Sequence, residues 1–179
     1  MNHNLLNQLA AQPDNPNPVQ QFRITDLATD AQQILKMMGL VTQAYIRSPF
    51  IREYAVGLLD GLGNNDIPGQ ANRMISFVKD NVIYVRDPVG SEYLQSPAKM
   101  LTDFMENGRM MGDCDDHVML LNTLLGAVGI PAKAVAVKMK QSPVYNHVIS
   151  GIEMKGQVYF VDPCVKGVAQ PVYRQYLFL

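Results

Sequence analysis

Hydrophobic residues in this chain recur at helical spacing through its first two thirds and then give way to strand-like runs. Leu27, Ala31, Ile34, Leu35 and Met38 make the first stripe, and Gly39 reads as its stop. A second helical stretch over 49–59 ends at Gly61-Leu62-Gly63. Ile67-Pro68-Gly69 opens a third, over 70–81, with Ala71, Met74, Ile75 and Val78 on one face. Val82-Ile83-Tyr84-Val85 is β-branched and aromatic, hence extended, and 86–90 reads as a turn. Ser96-Pro97 introduces a short helix over 98–106, with Gly108 after it. The clearest helix follows Cys114: Val118, Leu121, Leu124, Leu125 and Val128 form its stripe, Gly129 closes it and Pro131 prevents continuation. Strands are predicted over 132–139, 145–154 and 157–162, with Lys155-Gly156 turning between the last two. The tail 172–179 offers another strand.

Composition narrows the picture. The 179 residues suffice for one domain with a real core, and 47% hydrophobic against 17% charged residues is the balance of a soluble globular protein. Prolines 13, 16 and 18 among Asn and Gln make the beginning of the chain a low-hydrophobicity arm. The organisation expected is a flexible arm at 1–24, a helical extension at 25–62 and the main domain at 63–179. The apolar extension would pack on the core or dock a protein assembly partner.

A net charge of −1 and a pI near 6.3 provide no basic field, so neither nucleic acid nor a membrane surface is an expected partner. The start of the chain lacks the pattern of a signal peptide, and no run reaches membrane-span length. A cytoplasmic location is expected. Two cysteines make no disulfide framework, and the eleven methionines read as core filler.

The candidate chemistry centres on Gly112-Asp113-Cys114-Asp115-Asp116-His117. Asp113 is suited to cap the helix, and Asp116 stands where a capping-box acid belongs. The cysteine then lies in the first turn, where free N–H groups favour a thiolate while three aspartates oppose it. Activation therefore needs a cation, and an imidazolium is the natural supplier. If Lys155-Gly156 is a two-residue hairpin turn, Met154 faces Gln157 and Ile149 faces Asp162. His147 and Asp162 then share a face as diagonal neighbours roughly 7–8 Å apart. Nucleophile, base and orienting acid are the parts that acyl transfer requires.

These segments, GDCDDHVMLLNTLLGAVGIPAKAVAV and NHVISGIEMKGQVYFVDP, resemble the core of the transglutaminase-like superfamily. FVKDNVIYVRDPVGSEYLQSPAKML resembles the segment that precedes the cysteine in small bacterial and phage members, which adds a virion to the settings the resemblance implies. The resemblance spans about 70–165. It implies a papain-like α+β fold, the cysteine helix packed on an antiparallel sheet, with Cys114 as nucleophile, His147 as general base and acid, and Asp162 orienting the imidazole. It implies no cofactor and no metal, and a protein or peptide substrate.

The chain departs from the family pattern in three places. Val148-Ile149 follow the histidine where an aromatic is common, Cys164 stands where threonine often follows Asp-Pro, and there is no tryptophan for an oxyanion site. The Cys114 N–H is one candidate oxyanion donor, and Tyr93 and Gln95 are candidates for the other. Whether water or an amine resolves the thioester stays open. So do four other readings: a non-catalytic assembly protein of this fold, a zinc site from Cys114, His117, His147 and Cys164, His117 as the working base, and a Cys114–Cys164 disulfide.

Overall fold

The computed structural model describes residues 21–23, 31–88, 93–139, 142–166 and 176–177. The Pro/Asn-rich stretch 1–20, Leu27 and most of the tail lie outside them. Three helices come first: α1 (Ala31–Tyr45), α2 (Pro49–Leu58) and α3 (Ile67–Asn81). Short strands β2 (Val82–Tyr84), β3 (Tyr93–Gln95) and β4 (Met110–Gly112) then alternate with α4 (Pro97–Asn107). β1 (Gln21–Arg23) precedes all of these. The cysteine helix α5 (Cys114–Ala127) leads into β5 (Ala132–Val137), β6 (His147–Met154) and β7 (Gln157–Val161), with β8 (Tyr176–Leu177) last.

Helix α5 is the axis of the molecule. Its residues from Asp115 to Leu125 are all buried, so the apolar stripe read from the sequence understates it. A helix covered on every side belongs to the middle of a core. Val118, Leu121, Leu124 and Leu125 share one cluster with Met38 and Val41 of α1, Ile51 and Ala55 of α2, Met74 and Val78 of α3, and Ala136, Val148 and Ile152 of the sheet. Residues 31–58 are thus part of the same core as the cysteine helix.

The main sheet has the order β7-β6-β5-β8, all antiparallel. Met154 pairs with Gln157 and Ser150 with Val161, which is the expected register. Lys155 and Gly156 have φ of 53° and 73°, the left-handed pair of a type I′ turn. Two small sheets flank the N-terminal end of α5: β2 runs parallel to β4, and β1 antiparallel to β3.

Several expectations need correction. Gly39 does not stop the first helix, which runs on to Tyr45. The cost of a mid-helix glycine, about 1 kcal/mol, is smaller than the gain from burying Val41 and Tyr45 beyond it. The third helix starts at Ile67, because the Asp66 side chain accepts the Gly69 N–H and caps it there. Gln21–Arg23, expected in the arm, pairs with Tyr93–Gln95. Three-residue strands such as β1, β3 and β4 are too short to leave a periodic signal. Among the described residues no helix is long and apolar enough to cross a membrane.

Candidate active site

Asp113, Cys114 and the two acids behind them are set by the way α5 begins. The Asp113 carboxylate accepts the Asp115 N–H at 3.1 Å as N-cap. The Asp116 carboxylate accepts the Asp113 N–H in return, completing a capping box. It also takes the Gln95 N–H and the Gln95 Nε2, both at 2.8 Å. Gly112 makes room for this: a Cβ there would lie 2.5 Å from Asp116 Oδ2. This glycine, two residues before the cysteine, is needed for a close approach, not for a special φ.

This network reassigns Gln95. Its Nε2 donates to the Met111 carbonyl at 2.7 Å as well as to Asp116, so both hydrogens are committed. Gln95 ties β3 and β4 to the first turn of α5 and has no donor left for an oxyanion. Tyr93, the other oxyanion candidate, lies half-buried two residues earlier on β3, with its backbone N–H donating to Asp87 Oδ2.

His147 and Asp162 meet as the register predicts. His147 begins β6, and its Nε2–H donates to Asp162 Oδ2 at 2.8 Å. Asp162 follows the last residue of β7, is 1% exposed, and its other oxygen accepts the Cys164 N–H at 2.9 Å. A carboxylate held on both sides fixes the imidazole and makes Nε2 a protonated nitrogen.

Cys114 meets the same strand one residue on, where the Val148 N–H is directed at its sulfur. The thiol, 3.5 Å from Asp115 Oδ1, is also in donating range of that carboxylate. Burial pushes the Cys114 thiol well above the usual cysteine range, and the charges of Asp115, Asp113 and Cys164 add to this. Only the Val148 N–H among these influences favours the thiolate, so helix-start activation is outweighed here.

His117 is not placed as a base. Its Nδ1–H donates to the Asp113 carbonyl at 2.6 Å, its ring also meets the Val82 carbonyl, and Tyr84 packs against it with ring centroids 5.9 Å apart. Burial pushes its pKa down despite the two carbonyls. Its place is structural, joining the first turn of α5 to β2.

Cys164 sits close to both residues, its sulfur within 4.8 Å of His147 and Asp162 donor atoms. Burial and then the Asp162 carboxylate drive its thiol far up. Both cysteines are free thiols. Two sets of donor atoms could accept a metal, His147/Asp162/Cys164 and Asp113/Cys114/Asp115. They share no member and neither includes His117, so the Cys/His zinc set read from the sequence is not gathered among the described residues. Hydrogen bonds to Asp162 and the cap at Asp113 account for both groupings.

Two contributors escaped sequence reading. A backbone N–H such as that of Val148 leaves no residue-type signal. Tyr84, half-exposed, is close enough to feel the charges of Cys114, Asp113 and Cys164. It stands in an extended run whose exposed side the sequence did not assign.

Solved structures repeat this fold. A protein from Parabacteroides distasonis ATCC 8503, named as a candidate protease, superposes with a TM-score of 0.54 at 16% identity, over 77% of this chain and 26% of its own. A candidate cysteine protease from Cytophaga hutchinsonii gives 0.53 at 17% identity, over 80% of this chain and 49% of its own. The chain thus spans about half or less of the length of these relatives. No curated protein matches it in sequence. The family model described as the transglutaminase-like superfamily matches residues 53–163, from inside α2 to the Asp-Pro pair. That span exceeds half the chain and includes the cysteine, the histidine and the aspartate, and the chain belongs to the transglutaminase-like superfamily.

Proposed function

We propose that this protein catalyses cysteine-dependent acyl transfer from an amide. The observation that carries the reading is the His147 Nε2–Asp162 contact of 2.8 Å, on the strand whose next N–H is directed at Cys114. With burial and the neighbouring carboxylates disfavouring the Cys114 thiolate, His147 takes the thiol proton as general base during attack. The Sγ–carbonyl bond forms as the proton passes to Nδ1, and the C–N bond breaks as that proton reaches the departing ammonia or amine. Water then releases an acid, or a second amine an amide, making the protein an amidase, deamidase or peptidase in one case and a cross-linking transferase in the other. The Cys114 N–H at the helix start is the oxyanion donor supported best, now that Gln95 is committed elsewhere.

The elevated Cys114 thiol favours a second reading, a structural or assembly protein that keeps the fold without the reaction. Iodoacetamide labelling near neutral pH separates the two. In the enzyme reading, removing the base in His147→Ala slows Cys114 modification, by up to the 10²–10⁴-fold that general-base catalysis provides. Equal rates in both proteins would leave the structural reading standing.

A further inference from the structure

We infer a second binding site, towards the C-terminal end of α5, for a small uncharged molecule that joins a carboxamide to an apolar body. It stands apart from the acyl-transfer site, so neither reading depends on the other. A cavity of about 470 Å³ opens there between α1, α5 and the edge of β5. Asn122 on its wall stands eight residues, or about 12 Å, along the helix from Cys114. Ile46, Ile130, Val135 and Val158 give the cavity a largely apolar lining. Such a size and composition suit a small-molecule site.

Asn122 carries the inference. It is 3% exposed, and its Oδ1 accepts the Ser150 Oγ–H, but its Nδ2 has no partner among the described residues. A buried amide is ordinarily bonded at both ends. Thr123 Oγ1 is the one side-chain polar atom among the described residues that is both sealed from solvent and unbonded. The Asn122 nitrogen is therefore not sealed, and the space it reaches is the cavity. Thr42 of α1 also lines the cavity at 9% exposure, and its hydroxyl likewise has no partner among the described residues. An acceptor placed between these two side chains would complete the amide.

The backbone supplies the complementary groups. The Glu153 N–H donates to the Pro131 carbonyl at 2.8 Å. In the antiparallel register this turns the backbone groups of Lys133 and Val135 towards β6, and those of Ala132 to the outer edge. Among the described residues β8 takes that edge only at Ala136 and Val137, which leaves the Ala132 N–H and C=O without a ladder partner where Ala132 lines the cavity. The charged residues of the lining, Lys133 and Glu153, are exposed and opposite in sign, so neither an anion nor a cation is favoured. A carboxamide fits this set. Its carbonyl accepts from Asn122 Nδ2, its N–H donates to the Ala132 carbonyl, and its apolar body lies against Ile46, Ile130 and Val158.

The test titrates the full chain with three probes of one shape, cyclohexanecarboxamide, cyclohexanecarboxylate and cyclohexylmethylammonium. Binding is followed in proton–nitrogen NMR spectra by the Asn122 side-chain signals and the Gly126 and Gly129 backbone signals. The carboxamide is expected to give a saturable shift in the millimolar range proper to so small a ligand. The acid and the amine are expected to bind about ten-fold more weakly or worse, the scale of one hydrogen bond to a buried group. Carboxamide binding is expected to fall by a similar factor in Asn122→Leu. It should fall again in Val158→Trp, an exposed position where an indole narrows the cavity without burdening the core, and which carries the test if Asn122→Leu does not fold. The inference is overturned by the absence of a saturable carboxamide shift, by equal binding of the three probes, or by an affinity unchanged in the folded variants.

Discussion

At Cys114 and Asp116, two residues apart on one helix, burial works on opposite ends of the pH scale. The thiol is disfavoured as an anion by desolvation and then by Asp115 and Asp113, so its alkylation rate should keep rising with pH above about 9, the ordinary cysteine value. Asp115→Asn removes the largest opposing charge and should bring that inflection down, as read by iodoacetamide kinetics. An unmoved inflection would mean that burial alone sets it. For Asp116, desolvation raises the carboxyl from 3.8 to about 6 even against its N–H donors. The folded state therefore binds the proton more tightly than the unfolded chain. The stability this provides is complete below about 3.8 and lost as pH rises through about 6. A shift of about two units corresponds to about 3 kcal/mol. Buried His117, with its lowered pKa, works in the reverse sense, contributing stability above 6.5 that is lost as pH falls below it. Urea unfolding of the wild type and Asp116→Asn at several pH values isolates the first effect. The wild type should gain on the variant by a few kcal/mol from pH 7 to pH 4, and parallel profiles would refute the assignment.

Elements differ in how much of themselves they write into sequence. α5 and the β6–β7 hairpin were legible, the one by its apolar residues and its Asp113 cap, the other by Lys155-Gly156 and the pairing this fixes. From that turn alone His147 and Asp162 could be placed on one face, and their contact followed. The small sheets were not legible. They form because Gln95 and Asp116 draw β3 and β4 onto the start of α5, a long-range event that a three-residue window cannot record. Gly39 misled for a related reason: tertiary burial beyond it outweighed its local preference. Gly112→Ala tests the brace directly, since the added methyl would collide with the Asp116 carboxylate. A loss of about 1–3 kcal/mol is expected, visible as a melting temperature lower by roughly 2–12 °C. An unchanged melting temperature would show that the carboxylate can move aside. The hairpin should respond the other way. Lys155 holds a left-handed φ of 53°, and Lys155→Asn, a residue suited to that position, is expected to raise the melting temperature by about 1–4 °C.

At the scale of the molecule, the question is where the folding unit begins. Ile51 of α2 and Met38 of α1 are fully buried against α5, and Ile51→Ala should cost about 2–5 kcal/mol by the denaturant midpoint. A cost under 1 kcal/mol would mean that the first two helices are dispensable. One contact sharpens the point. The Arg52 Nη1 donates to the Ala127 carbonyl at 2.7 Å, at the far end of α5 from Cys114. That helix has acids in its first turn and no base in its last, so the cation facing its negative pole comes from another element. Arg52 lies one position before the stretch that relatives share in sequence. A gene rearrangement that carried only the shared stretch into a new host would leave this counter-charge behind, and the Cys114 helix would arrive electrically incomplete. The heritable module of this chain starts earlier than the similarity that identifies it.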